Sequence, residues 1–183
     1  MHRKQILQLL NRYPLTGQAG QVTLDEFRQF IEENPHCFER TLDIGHLTGS
    51  AWVVSPDRSR VLLTHHHRLD RWLQLGGHAD GDPDIFAVAW REAREESGLT
   101  ALRPLSGDIF DLDLHLIPAR PTEAAHYHYD VRFIFEADPT APLVISKESK
   151  DLAWVRLTEV GNLEADESVL RMVEKTQALF APP

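Results

Sequence analysis

Apolar residues recur at helical spacing near the start of the chain: Ile6, Leu9, Leu10 and Tyr13 fall on one face, and Pro14 ends the run. A second helix is predicted from Thr23, which forms a capping box with Glu26 and is followed by the stripe Leu24, Phe27, Phe30 and Ile31 up to Asn34-Pro35. Residues 1–40 therefore read as a short helical segment whose apolar face must dock, a cap on the same chain being the plainer expectation over a partner. From Gly45 the period changes. His46–Val54 is rich in Thr, Trp and Val, Ser55-Pro56-Asp57 is a turn, and Val61–Thr64 is a second strand. Gly76-Gly77 and Gly81-Asp82-Pro83 predict a tight irregular loop, and Asp84 caps a helix running to about Ser97, with Gly98 as its stop. Ile109–Ile117 and His126–Ala137 then alternate with period two, Leu152–Leu157 is a further strand, and a closing helix covers about Glu167–Phe180. The order strands, helix, strands, helix predicts an α+β chain, a mixed sheet between helices over residues 44–180.

A chain of 183 residues fits one main domain with a short appendage. Its single cysteine, Cys37, excludes a disulfide framework and any zinc site built from several thiolates. The apolar stretch Ile6–Leu10 is broken by Gln8 and too short for a signal peptide, and no run approaches the roughly 18 apolar residues that span a bilayer. The expected setting is a reducing cytoplasm without membrane attachment. Asp and Glu number 28 against 19 Lys and Arg, a net charge of −9 that disfavours nucleic-acid backbones. An anionic substrate would need a bound cation to mediate.

The chemistry concentrates in Gly76–Leu99, GGHADGDPDIFAVAWREAREESGL. Its helix confines Glu92, Glu95 and Glu96 to an arc of roughly 100°. Three like charges so close are unfavourable unless something positive sits among them. Hard divalent cations such as Mg2+ or Mn2+ take oxygen donors of this kind. Phe86, Ala89 and Ala93 form the neighbouring apolar sector that would seat the helix on the sheet.

This stretch resembles the signature of the Nudix hydrolase superfamily, G-x5-E-x7-R-E-U-x-E-E-x-G-U with U a bulky aliphatic residue. Gly77 opens it, Arg91-Glu92 and Glu95-Glu96 supply its paired charges, and Gly98-Leu99 closes it. Two positions depart: Pro83 stands where the first glutamate belongs, and small Ala93 occupies a U position. The resemblance implies an α/β/α sandwich and Glu92, Glu95, Glu96 and the Gly77 carbonyl as metal ligands. It gives Arg91 a structural role, with Asp82 or Asp84 as substitutes for the missing glutamate. It also implies Mg2+- or Mn2+-dependent hydrolysis of a diphosphate linkage in a nucleotide-type small molecule, with Glu96 or Glu92 as base. The alternative is a noncatalytic nucleotide or metabolite sensor on the same fold, the reading that Pro83 favours. A Nudix-fold isomerase would look for a catalytic cysteine, and Cys37 lies far from the signature. A homodimer is a fair expectation.

Outside the signature, Glu148, in a loop before the strand carrying Trp154, is a candidate catalytic acid, and Glu123 is the runner-up. On one strand face His126, His128 and Asp130 align, and on another Asp111, Asp113 and His115, so that these polar faces can line one pocket. His126 and His128 are expected to contact substrate. Zinc held by His126, His128 and His115 is the other reading. His65-His66-His67 is expected in a loop. His78, inside the signature, and Trp72, beside the glycine loop, are further substrate-contact candidates.

Overall fold

The apolar stripes of the first two helices decide what they pack on. The computed structural model describes residues 2–14, 17–67, 69–121, 123–147 and 149–180, with the side chains of 17–19 outside that description. Helices α1 (Lys4–Arg12) and α2 (Gly17–Glu33) precede strands β1 (Gly45–Val54), β2 (Arg60–His66), β3 (Trp72–Leu73) and β4 (Leu75–His78). Then come α3 (Ile85–Ser97), β5 (Arg103–Pro104), β6 (Asp111–Ile117), β7 (His126–Glu136), β8 (Ser149–Arg156) and α4 (Glu167–Leu179). The chain is α+β, a mixed sheet with four α-helices. No helix among the described residues is long and apolar enough to cross a membrane. By contacts the chain divides into two units, Met1–Ser50, Gly77–Ala89 and Ser106–Phe133 in the first, and Ala51–Gly76, Trp90–Leu105 and Ile134–Pro183 in the second.

In the first unit Ile6, Leu9 and Leu10 of α1 and Leu24, Phe27, Phe30 and Ile31 of α2 are all buried. Phe30 stacks on Tyr129 of β7 with ring centroids 3.8 Å apart, and Phe27 meets the same ring edge-on at 5.2 Å. The helical segment is thus a cap on its own chain, with aromatic contacts worth about 0.5–1.5 kcal/mol each beyond burial. α2 starts at Gly17 rather than at Thr23, so Thr23 and Glu26 lie inside the helix. Thr followed three residues later by Glu also describes an interior i,i+3 pair, and the local pattern does not separate the two. Beyond α2, Leu47 N–H donates to the Cys37 carbonyl (2.7 Å) and Gly81 N–H to the Phe38 carbonyl (2.9 Å), tying this segment to β1 and to the loop before α3.

In that unit β7 pairs antiparallel with β6, in a register running from Asp111↔Arg132 to Ile117↔His126, and β1 neighbours β7 and β4. A Cβ on Gly49 of β1 would lie 2.8 Å from the Ile85 carbonyl oxygen and 3.1 Å from Ala89 N, so glycine sets how closely α3 begins over the strand.

In the second unit β2 pairs antiparallel with β8 from Arg60↔Arg156 to His66↔Ser149, with β3 through His65↔Trp72, and with the end of β1 through Val53↔Leu62. His65 and His66 therefore belong to a strand and not to the loop expected for them, because pairing with β8 and β3 extends β2 past its apolar residues. Likewise Gly76 and Gly77 lie on β4, where pairing with β1 overrides glycine's low strand preference. Fully buried Trp52 donates its Nε1–H to Thr176 Oγ1 of α4 at 2.8 Å.

Candidate active site

Local sequence chemistry fixes both ends of α3. Asp84 accepts the Ala87 N–H at 3.1 Å, as an N-cap should, and its own N–H donates to Asp82 Oδ1 at 2.9 Å. Gly98, at φ +72°, ends the helix in the left-handed region that glycine adopts without a Cβ penalty.

Between these ends, in the second unit, the helix carries Glu92, Glu95 and Glu96. Burial grades across them: Glu95 is exposed, Glu92 half-buried, and Glu96 only 8% exposed. Glu96 Oε2 accepts the Gly76 N–H at 3.1 Å, a charge-assisted bond that offsets part of the cost of burying a carboxylate. Arg91 Nη2 lies 3.1 Å from Glu92 Oε1 and offsets part of the repulsion among the three acids. Gly77 follows Gly76 on β4. Asp84, named with Asp82 as a substitute for the missing glutamate, serves as the helix cap that its position before α3 predicts. The three carboxylates suit a hard divalent cation, which takes oxygen donors together with water and substrate phosphate.

Glu148 lies outside the described residues. Glu123, its runner-up, is exposed, with Oε1 3.8 Å from His126 Nε2. Trp72 stacks on His65 in the second unit, with centroids 5.1 Å apart and planes 10° from parallel. Trp90 is 38% exposed and lies under the Arg94 guanidinium at 5.1 Å. Cys37 is buried, and burial pushes its thiol up to about 11, so it is no thiolate nucleophile at neutral pH.

The first unit gathers histidines. One ring nitrogen from each of His46, His78 and His128 lies within 4.8 Å of the others. The trio of the alternative zinc reading, His126, His128 and His115, is not the one so gathered: His115 Nδ1 is bonded to Asp113 at 3.0 Å, and His126 Nδ1 to the Ala124 carbonyl at 2.9 Å. His126 is itself buried at 5% exposure, with Nε2 3.3 Å from His128 Nε2. His46 escaped the sequence reading, although its period-two run with Thr48 and Ser50 on β1 was the available signal. Burial, together with the neighbouring imidazoles, lowers His46 to about 4 and His128 to about 2, so both rings are neutral at pH 7. Burial also lowers His78.

Beside them the aspartates of the two polar faces, Asp111, Asp113 and Asp130, join a buried ion network whose centre, Arg132, the sequence reading did not single out. Arg132, 2% exposed, reaches Asp130 (2.7 Å), Asp113 (3.2 Å) and Asp111 (3.4 Å). Thr48 and Ser50 donate to the other oxygen of Asp130 at 2.9 and 2.8 Å. Burial presses the guanidinium pKa down, but the three carboxylates outweigh it and hold the group above its ordinary value.

No curated protein matches the sequence. Solved structures do. The chain is similar to an Ap4A hydrolase of C. elegans in a binary complex, with TM-score 0.60 and 16% identity over 74% of this chain and 97% of that one. It is similar to the NUDIX domain of Shewanella oneidensis NrtR complexed with ADP ribose, with TM-score 0.57 and 16% identity over 84% and 98%. A NUDIX-family hydrolase from Clostridium perfringens gives TM-score 0.51 and 27% identity over 73% and 97%. The first two, at so low an identity, speak for the fold alone. The sequence itself matches the NUDIX domain over residues 46–175, well over half its length and the run from β1 into α4, and the chain therefore belongs to the Nudix family.

Proposed function

We propose that the protein hydrolyses a phosphoanhydride bond in a nucleoside diphosphate derivative, with Mg2+ or Mn2+ held by Glu92, Glu95 and Glu96. The observation that carries this reading is the buried Glu96, anchored by the Gly76 N–H at 3.1 Å at the end of a row of three carboxylates on one helix. Bound there, the cation would supply positive charge against phosphate oxygens and acidify water for in-line attack on phosphorus. The chain's own part is placement. The Asp84 cap and the Gly98 stop fix the span of α3 and hence the phase of its three glutamates. The Gly76 N–H holds Glu96 in one rotamer, and Arg91 draws Glu92 to its side of the helix. Glu96 is the group we assign to receive the proton of the attacking water, since it is the buried carboxylate of the three and is held in place by the Gly76 N–H.

Pro83, in place of the family's first glutamate, favours a second reading, a domain that binds the nucleotide without turning it over. Phosphorus NMR of the products from a panel of nucleoside diphosphate derivatives and triphosphates, with Mg2+, Mn2+ or chelator, separates the two. Glu96→Gln is expected to lower kcat by about 10²–10⁴-fold with KM little changed. Tight nucleotide binding by the wild type with no product from any panel member would replace hydrolysis with the sensor.

A further inference from the structure

His46, His78 and His128 come from three strands, β1, β4 and β7, and the row of acids on α3 makes no use of them. His46 is the informative member. It is 1% exposed, and neither Nδ1 nor Nε2 has a hydrogen-bond partner among the described residues. Leaving a buried polar atom unsatisfied costs about 1–3 kcal/mol, and a cation bound to the ring would satisfy one of its two nitrogens. The neighbouring rings crowd it, with centroids 5.1 Å away for His78, 5.0 Å for His126 and 4.8 Å for His128.

We propose that His46, His78 and His128 bind a borderline-soft divalent cation of the zinc class through three imidazole nitrogens. The donor chemistry makes the choice: three neutral nitrogens suit zinc, whereas Mg2+ and Ca2+ take oxygens. Zn–N bonds of about 2.0–2.1 Å place tetrahedral ligand atoms about 3.3 Å apart, so a set within 4.8 Å needs to close by at most about 1.5 Å, which ring rotation supplies. His126 provides the supporting shell. The Nδ1 proton of His126, held by the Ala124 carbonyl at 2.9 Å, leaves its Nε2 to accept from His128 Nε2 at 3.3 Å, and that bond orients the His128 ring. Three protein ligands leave a fourth position for water or an anionic group. The site does not depend on the hydrolytic reading, since its donors and those of α3 share no residue.

The test uses the full chain, free of any affinity tag and stripped with chelator. Zn2+ alone is titrated in competition with a chromophoric chelator, and Co2+ is added in parallel for its visible d–d spectrum. One Zn2+ per chain and the intense bands of four-coordinate Co2+ are expected, both retained in a Glu92→Gln/Glu96→Gln double variant. His78→Asn is expected to weaken Zn2+ at least tenfold with unchanged far-ultraviolet circular dichroism. His78 is only half-buried, so this variant keeps the test open if His46→Asn fails to fold. Zn2+ affinity equal in the wild type and His78→Asn, or affinity lost with the α3 glutamates and kept in His78→Asn, overturns the assignment.

Discussion

Removing the guanidinium of Arg132 is the sharpest test of how the first unit holds its polar interior. Arg132→Met keeps most of the side-chain volume but deletes the contacts to Asp130, Asp113 and Asp111 at 2.7, 3.2 and 3.4 Å. What remains is unequal. Asp130 keeps its Thr48 and Ser50 hydroxyls, and Asp113 keeps His115, yet the two carboxylates face each other across the β6–β7 pair with their common cation gone. Breaking a buried ion pair by removing one partner costs about 3–5 kcal/mol, chiefly through the charge left behind. At about 2–4 °C per kcal/mol for a chain of this size, Tm should fall by about 6–20 °C. The assay is urea and thermal unfolding of chelator-treated protein, since a bound ion would shift the apparent stability. Asp130→Asn added to Arg132→Met should recover more than 1 kcal/mol, because it removes one of the stranded charges. If Arg132→Met stayed within about 1 kcal/mol of wild type, or the two substitutions simply added, the network would not be the coupled unit described here.

Two further outcomes follow from the same geometry. Asp84→Ala should lower stability by about 1 kcal/mol, the usual worth of an N-cap, and shift Tm by about 2–4 °C in a thermal melt. Glu136 is held below its ordinary 4.5 by hydrogen bonds from Arg103 and Arg58, so its folded pKa lies under its unfolded one. Its contribution is therefore complete above about pH 4.5 and is lost as pH falls through the folded value, and urea melts of Glu136→Gln should show a flatter acid limb than wild type, equal slopes refuting the sign.

Much of the framework was legible because its periods are strong. The stripe of α2, the alternation of β6 and β7, and the Asp84 and Gly98 boundaries of α3 are local patterns that burial merely enforces. The two-residue strands β3 and β5 and the glycine-bearing β4 were not, since their sequences hold no strand signal and only pairing with distant partners defines them. The carboxylate row of α3 could be placed from helix geometry alone, whereas the grading of its burial could not. The shared polar faces of Asp111, Asp113 and Asp130 could be read from their period-two spacing, whereas the joining of all three to Arg132 depends on a register that no short window encodes.

That register has a consequence for assembly. Along β6 and β7 the charged and imidazole positions occupy one parity, so Asp111 meets Arg132, Asp113 meets Asp130 and His115 meets His128. A slip of a single residue would send Arg132 to the face where Tyr129, Val131 and Phe133 belong and pit its charge against apolar neighbours. The buried stripe thus works as a parity check on the hairpin: a misaligned pairing would strand a full charge in the interior, which sets the native register apart in energy from its nearest competitors.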